Sequence, residues 1–146
     1  MIRVKPAHIR TPLSAKSAAA PVYEFVGRHL LVSYCGCDEK ALLDVAGLRQ
    51  AMASGIQASG ATILNSTEHV FPEGGMTMLF LLSESHASIH TYPEHGSCFL
   101  DLFTCGTNCR AEAFEAVMRK HLRPRLANCR VWVRNQGMES DQFNVA

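Results

Sequence analysis

The sequence has little net charge and no long apolar run, and both absences exclude classes of protein. Its 146 residues carry a formal net charge of +1, which gives no electrostatic basis for binding nucleic acid or a membrane surface. No apolar run approaches the ~20 residues that a bilayer-spanning helix needs. With 47% hydrophobic and 18% charged residues, the composition is typical of one globular domain with a single core.

The chain also lacks the continuous apolar centre of a secretory signal. Residues 1–25 are basic, rich in Ala and Ser and poor in acids, and we expect them to form a flexible N-terminal arm before a single domain at 26–146. Without a secretory signal, the six cysteines are expected to be free thiols, and the cytoplasm is the expected compartment.

The cysteines and histidines leave two alternatives to consider. No cysteine pair has the Cys-x2-Cys spacing of a structural zinc site, and His86 and His90 would lie about 13 Å apart on one strand, so a zinc-binding module is disfavoured and we expect no metal. A cysteine hydrolase needs a thiolate beside a histidine base, and Cys105 and His90 can meet across adjacent strands. No local signature supports that hydrolase.

Hydrophobic periodicity predicts the element order β-α-β-β-β-β-α-β. A strand at 29–37 precedes a helix that begins after Asp38 and ends at Gly60. Strands are predicted at 61–71, 76–83, 86–92 and 98–105, then a helix within 109–124 and a strand at 129–136. Hairpin-length links favour antiparallel pairing. We therefore predict an α+β fold, a two-layer α/β sandwich with a mostly antiparallel sheet and two main helices on one face.

The periodicity does not explain Glu84 and Ser85, which directly follow an apolar strand. An ionised carboxylate there is costly unless it lies at a strand end or does chemistry. The stretch SESHASIHTYPEHG (83–96), followed by DLFTCG (101–106), resembles the prokaryotic S-adenosylmethionine decarboxylase proenzyme family. The likeness extends upstream through VGRHLLVSYCGCD, SGATILNST and FPEGGMT, and it weakens after about residue 110.

The resemblance implies that the Glu84–Ser85 peptide bond cleaves itself. Ser85 Oγ would attack the Glu84 carbonyl, the resulting ester would eliminate after loss of the α-proton, and the dehydroalanine would hydrolyse to a pyruvoyl group. The products would be a β chain, 1–84, and an α chain, 85–146. The pyruvoyl group is the implied cofactor; it would form a Schiff base with the substrate amine and take up the electrons that carbon dioxide leaves behind.

The resemblance also implies roles for other side chains. His90 matches the family's processing histidine and is the expected proton acceptor. Thr77 falls where the family carries a hydroxyl that can donate to a developing oxyanion. Cys105 matches the proton donor to the decarboxylated substrate carbon.

Three further residues match substrate contacts of the family. Phe71 and Tyr92 match aromatic positions about the adenine, and aromatic faces also suit a sulfonium cation. Glu94 matches a carboxylate near the ribose hydroxyls. Two departures from the family pattern, Met78 and the segment 97–99, are expected near the nucleoside pocket. The substrate therefore stays open between S-adenosylmethionine, which the resemblance favours, and ornithine or arginine.

The implied protein is a self-processing pyruvoyl-dependent carboxy-lyase. Acting on S-adenosylmethionine, it would produce the aminopropyl donor for spermidine synthesis. The family pattern also implies a homodimer of processed αβ protomers, with pocket aromatics and catalytic groups contributed by both. His86 is the one histidine of the motif to which neither the pattern nor the resemblance assigns a role.

Overall fold

The computed structural model describes residues 23–106 and 108–134, and its strands form one sheet. The strands are β1 (Tyr23–Cys35), β2 (Ile63–Val70), β3 (Met76–Leu82), β4 (Ser85–Tyr92), β5 (Ser97–Gly106) and β6 (Leu126–Arg134). Their order is β2-β3-β4-β5-β1-β6, and every neighbouring pair is antiparallel. The predicted N-terminal arm lies outside the described residues except for 23–25, which open β1.

The helices are α1 (Glu39–Leu43), α2 (Val45–Ser59) and α3 (Ala111–Leu122). The prediction of a single helix after Asp38 is wrong, because the helix is interrupted at Asp44. Asp38 does cap α1, but the Asp44 backbone leaves helical geometry and its carboxylate accepts the Gly47 N–H, so Asp44 begins a second helix. The predicted end is confirmed, because Gly60 adopts the left-handed conformation with φ 89°.

The core lies between the two long helices and one face of the sheet. Each long helix buries a stripe of apolar side chains: Leu48, Met52 and Ile56 in α2, and Phe114, Met118 and Leu122 in α3. Along β3 the exposure alternates, with Met76, Met78, Phe80 and Leu82 buried under the helices. The predicted α+β two-layer sandwich is therefore confirmed. No helix within the described ranges is long and apolar enough to cross a membrane.

The helices cover only part of the sheet. All nine residues of β6 are exposed, although Cys129 and Val131 line a cavity together with Glu115 and Arg119 of α3. The opposite face of the whole sheet carries no other element of the described chain. We call it the open face; it contains the alternate side chains of every strand.

Candidate active site

The open face carries most of the residues singled out by the sequence. Cross-strand neighbours share a face, and the register therefore assigns to it the following side chains: Thr77, Leu79 and Leu81 of β3, His86, Ser88, His90 and Tyr92 of β4, and Phe99, Asp101 and Phe103 of β5. Several are apolar and well exposed: Leu81 is 55% exposed, Phe99 48% and Leu79 44%. The open face is thus partly apolar, with polar groups at both ends of β4 and the Ser88–Asp101 hydrogen bond between them.

Glu84 lies in the tight connection between β3 and β4, at the first end of that surface. Its backbone carbonyl accepts the Cys105 N–H at 3.1 Å, because the antiparallel pairing of β4 with β5 continues one residue beyond Ser85 and Thr104. The bond that follows this carbonyl is the predicted cleavage site. A backbone donor is therefore aimed at the oxygen that would become negative during an attack on Glu84.

The Glu84 side chain is buried, with 8% of the residue exposed, and a backbone group anchors it. The Thr62 N–H donates to Glu84 Oε2 at 2.9 Å. Burial raises the pKa of this carboxyl, but the hydrogen bonds from Thr62 and Ser83 together outweigh burial and hold the pKa below its ordinary value. The structure thus explains how an ionised carboxylate is tolerated directly after an apolar strand.

Ser85 begins β4 and carries the predicted nucleophile. Its Oγ lies 3.1 Å from Nδ1 of His86, within hydrogen-bond distance. The His86 ring packs against Phe103 and His29, with ring centroids 5.6 Å and 6.3 Å away. A serine hydroxyl bonded to an imidazole is a common arrangement for an activated nucleophile.

A cavity of about 390 Å³ lies at the other end of β4. Five of the predicted site residues line this cavity: Phe71, Thr77, His90, Tyr92 and Glu94. Thr77 Oγ1 and His90 Nδ1 lie 2.9 Å apart across β3 and β4. Gly75 allows the start of β3 to come close, since a Cβ there would lie 3.0 Å from the Thr91 carbonyl oxygen.

The aromatic walls of this cavity are fixed by other rings. Phe71 packs edge-on against His69, with ring centroids 4.7 Å apart, and Tyr92 packs against Phe99 at 5.5 Å. Glu94 lies in the 3-10 turn Pro93–His95, and its side chain is 58% exposed. The cavity therefore combines two aromatic faces with an accessible carboxylate.

The two ends of β4 do not meet within one chain. Ser85 and His90 are five residues apart on one extended strand, which separates them by about 16 Å. His90 lies opposite Phe99, whereas Cys105 lies beside Glu84. The expectation that Cys105 and His90 meet across adjacent strands is therefore wrong for a single chain.

The sequence missed two groups at the cleavage site. They are the backbone N–H groups of Cys105 and Thr62, which hold the Glu84 carbonyl and carboxylate. Every residue type except proline offers such a donor, so no sequence signal reveals which one is used. Among residues 23–106 and 108–134, the cleavage site included, no group of three His, Cys, Asp or Glu side chains is close enough to hold a metal ion.

Known proteins resemble this chain over most of the described domain. The family model described as S-adenosylmethionine decarboxylase matches residues 28–135. The chain belongs to this family. A relative from Parasynechococcus marenigrum, named S-adenosylmethionine decarboxylase proenzyme, is 44% identical over 98 residues, which cover 67% of this chain and 77% of the relative.

Two further S-adenosylmethionine decarboxylases extend the likeness. The proenzyme of Thermotoga petrophila is 41% identical over 109 residues, which cover 74% of this chain and 80% of that protein. The crystal structure of the adenosylmethionine decarboxylase from Aquifex aeolicus superposes with a TM-score of 0.68 at 28% identity, covering 82% of this chain and 97% of the other. The predicted family is confirmed, and with it a carboxy-lyase; none of these three proteins is named as an ornithine or arginine decarboxylase.

Proposed function

We propose that this chain is the proenzyme of an S-adenosylmethionine decarboxylase that makes its own pyruvoyl group at Ser85. The setting of the Glu84–Ser85 bond carries the proposal. The carbonyl to be attacked accepts the Cys105 N–H at 3.1 Å, and the attacking Oγ lies 3.1 Å from an imidazole nitrogen. Polarising the electrophile and activating the hydroxyl are the two requirements of an attack by serine. The products would be chains 1–84 and 85–146.

The residues around Ser85 fit the group that would form there. Once formed, a pyruvoyl ketone would hold the substrate amine covalently and accept the electrons released with carbon dioxide. Cys105 is half-buried at the end of β5, and its backbone bond to Glu84 holds it beside the cleavage site. This placement supports Cys105 as the thiol that delivers a proton to the substrate carbon.

A second copy of this chain would complete the site. Ser85 and Cys105 lie at one end of β4, and Thr77, His90 and Tyr92 lie at the other. A two-fold axis that crosses β4 near its middle would place the Ser85 end of β4 in one copy over the His90 end of β4 in the other. Stacked sheets lie about 10 Å apart, so one copy's pocket would face the other copy's Ser85. The homodimer would then contain two composite sites.

The open face supplies a surface for this partner. The exposed apolar side chains on this face include Leu31, Trp132, Phe99 and the leucines of β3, and the hydrogen-bonded pair Ser88 and Asp101 lies among them. Monomeric proteins seldom leave so broad an apolar sheet face in water. A two-fold contact buries the same patch on both copies, and it would turn the two-layer fold into a four-layer sandwich with helices outside.

The cavity supports S-adenosylmethionine as the substrate. Phe71 and Tyr92 offer faces for an adenine ring or a sulfonium cation, and Glu94 offers acceptors for ribose hydroxyls. Met78, expected near this pocket, is fully buried under the helices and does not line the cavity. Of the segment 97–99, Cys98 is also fully buried. The Phe99 ring packs against Tyr92, which lines the cavity. The names of the relatives agree with this substrate.

Two measurements test the self-processing. Intact mass of the purified 16.0 kDa chain should show fragments that meet between Glu84 and Ser85. Ser85→Ala should leave the chain whole and inactive. A wild-type chain that stays whole on prolonged incubation, or an active Ser85→Ala protein, would refute the proposal.

A third measurement tests the substrate. Carbon dioxide release is compared for S-adenosylmethionine, ornithine and arginine at equal concentrations with the processed protein. We expect release from S-adenosylmethionine, and we expect Glu94→Ala to raise its KM more than it lowers kcat. Release from ornithine or arginine alone would assign the pocket to a basic amino acid instead.

A further inference from the structure

His86 is the residue in contact with the reacting oxygen of Ser85. Nδ1 of His86 lies 3.1 Å from Ser85 Oγ. In the neutral tautomer that carries its proton on Nε2, Nδ1 accepts the bond from the serine hydroxyl. His90 has a different partner: its Nδ1 is 2.9 Å from the Thr77 hydroxyl, at the other end of β4. Two histidines of one motif are thus tied to two different hydroxyls.

We propose that His86 is the base of the first processing step, the shift of the Glu84 acyl group from nitrogen to oxygen. This inference rests on the proposed self-processing at Ser85. The Ser85 O–H proton passes to Nδ1 of His86 as Oγ bonds to the Glu84 carbonyl carbon. The carbonyl oxygen becomes negative while it accepts the Cys105 N–H. The C–N bond then breaks and the Ser85 nitrogen takes the proton back, so the peptide becomes an ester with no atom gained or lost.

The neighbours of His86 restrict its ring without competing for Nδ1. Across the sheet His86 lies between Leu81 of β3 and Phe103 of β5, and both are apolar. The His29 ring meets it edge-on at 6.3 Å, and Asp101 lies 3.4 Å from Nε2 of His29. Because Leu81 and Phe103 have no hydrogen-bonding side-chain groups, they do not compete with the Ser85 hydroxyl for Nδ1 of His86.

This assignment divides the processing between two histidines. His86 would act before the ester forms, and His90, supplied by the second copy, would act afterwards on the α-proton of Ser85. The two steps have different chemical signatures, because hydroxylamine cleaves an ester rapidly and leaves a peptide bond intact. Hydroxylamine therefore shows whether a variant stops before or after the ester forms.

The first experiment compares His86→Asn with His90→Ala in the full-length chain. Asn keeps a short polar acceptor near Oγ but takes up no proton. We expect His86→Asn to slow fragment formation by about 10²- to 10⁴-fold, the usual contribution of a general base, and hydroxylamine should not release fragments from it. His90→Ala should accumulate the ester, and hydroxylamine should split it at once. His121→Asn, in the groove between α2 and α3, is the matched control and should process normally.

The second experiment separates proton transfer from packing. His86 borders a cavity of about 220 Å³ on the open face, which has room for a small base. Added imidazole should therefore accelerate cleavage of His86→Ala in proportion to its concentration, and it should do nothing for Ser85→Ala.

Three outcomes overturn the assignment of His86. The first is a rate of fragment formation by His86→Asn within about threefold of the wild-type rate, well short of the loss expected for a general base. The second is immediate release of fragments from His86→Asn by hydroxylamine. The third is that imidazole does not accelerate cleavage of His86→Ala. A wild-type chain that never splits would instead refute the self-processing itself.

Discussion

Two inactive variants of this chain are expected to restore activity to each other when they are expressed together. Ser85→Ala removes the nucleophile at one end of β4, and His90→Ala removes the histidine at the other. The two positions lie about 16 Å apart along the strand, so Ser85 and His90 of the same chain cannot belong to the same site. In a mixed dimer one composite site has lost both groups, while the other retains Ser85 from one copy and His90 from the other.

The geometry sets the size of the effect. Random pairing of equal amounts makes half of the dimers mixed, and each mixed dimer has one intact site of two. We therefore expect about one quarter of the wild-type decarboxylase activity, and cleavage of about half of the His90→Ala chains. The Ser85→Ala chains should stay whole. Each variant alone should be inactive.

The assay uses chains with different affinity tags, so that a gel shows which one is cleaved. Ser85→Ala paired with Cys105→Ala is the matched control, because both residues belong to the same end of β4 and no mixed dimer restores a complete site. Activity in the control pair, or no activity in the Ser85→Ala and His90→Ala pair despite mixed dimers, would refute the composite site.

Three predictions concern stability, measured by urea unfolding of the uncleaved serine variant at one protein concentration. Leu48→Ala, at a fully buried position, should lower the free energy of unfolding by about 2–5 kcal/mol. Asp44→Ala should cost about 0.5–2 kcal/mol by removing the cap of α2, while Asp44→Asn should cost much less. Burial raises the pKa of Glu115, but hydrogen bonds from Tyr34 and Arg119 outweigh burial and lower it. Its contribution to stability is therefore present above the ordinary glutamate pKa of about 4.3 and is lost as pH falls through the lower folded-state value. Glu115→Gln should accordingly destabilise the protein at pH 7 and make little difference near about pH 2. A Leu48→Ala loss below about 1 kcal/mol, equal losses for the two Asp44 variants, or a Glu115→Gln loss that does not change with pH would contradict these expectations.

Local sequence determines most of the helices and strands. Asp38 caps a helix and Gly60 ends one, because a carboxylate can satisfy free N–H groups and glycine tolerates a positive φ. The alternation along Met76–Leu82 specifies a strand with one buried face. The sequence misses the break at Asp44, since the apolar stripe continues across it and a carboxylate suits a cap and an exposed helical position equally well.

The motif around Ser85 likewise predicts the proposed self-cleavage, because a serine hydroxyl can attack the carbonyl that precedes it. Where the groups lie is a matter of tertiary structure. The register pairs Thr77 with His90 and brings the Cys105 N–H to the Glu84 carbonyl. A strand rises about 3.3 Å per residue, so residues close in the motif are held far apart in space. Sequence proximity here reflects a shared strand, and the folded sheet separates Ser85 from His90 by about 16 Å within one chain.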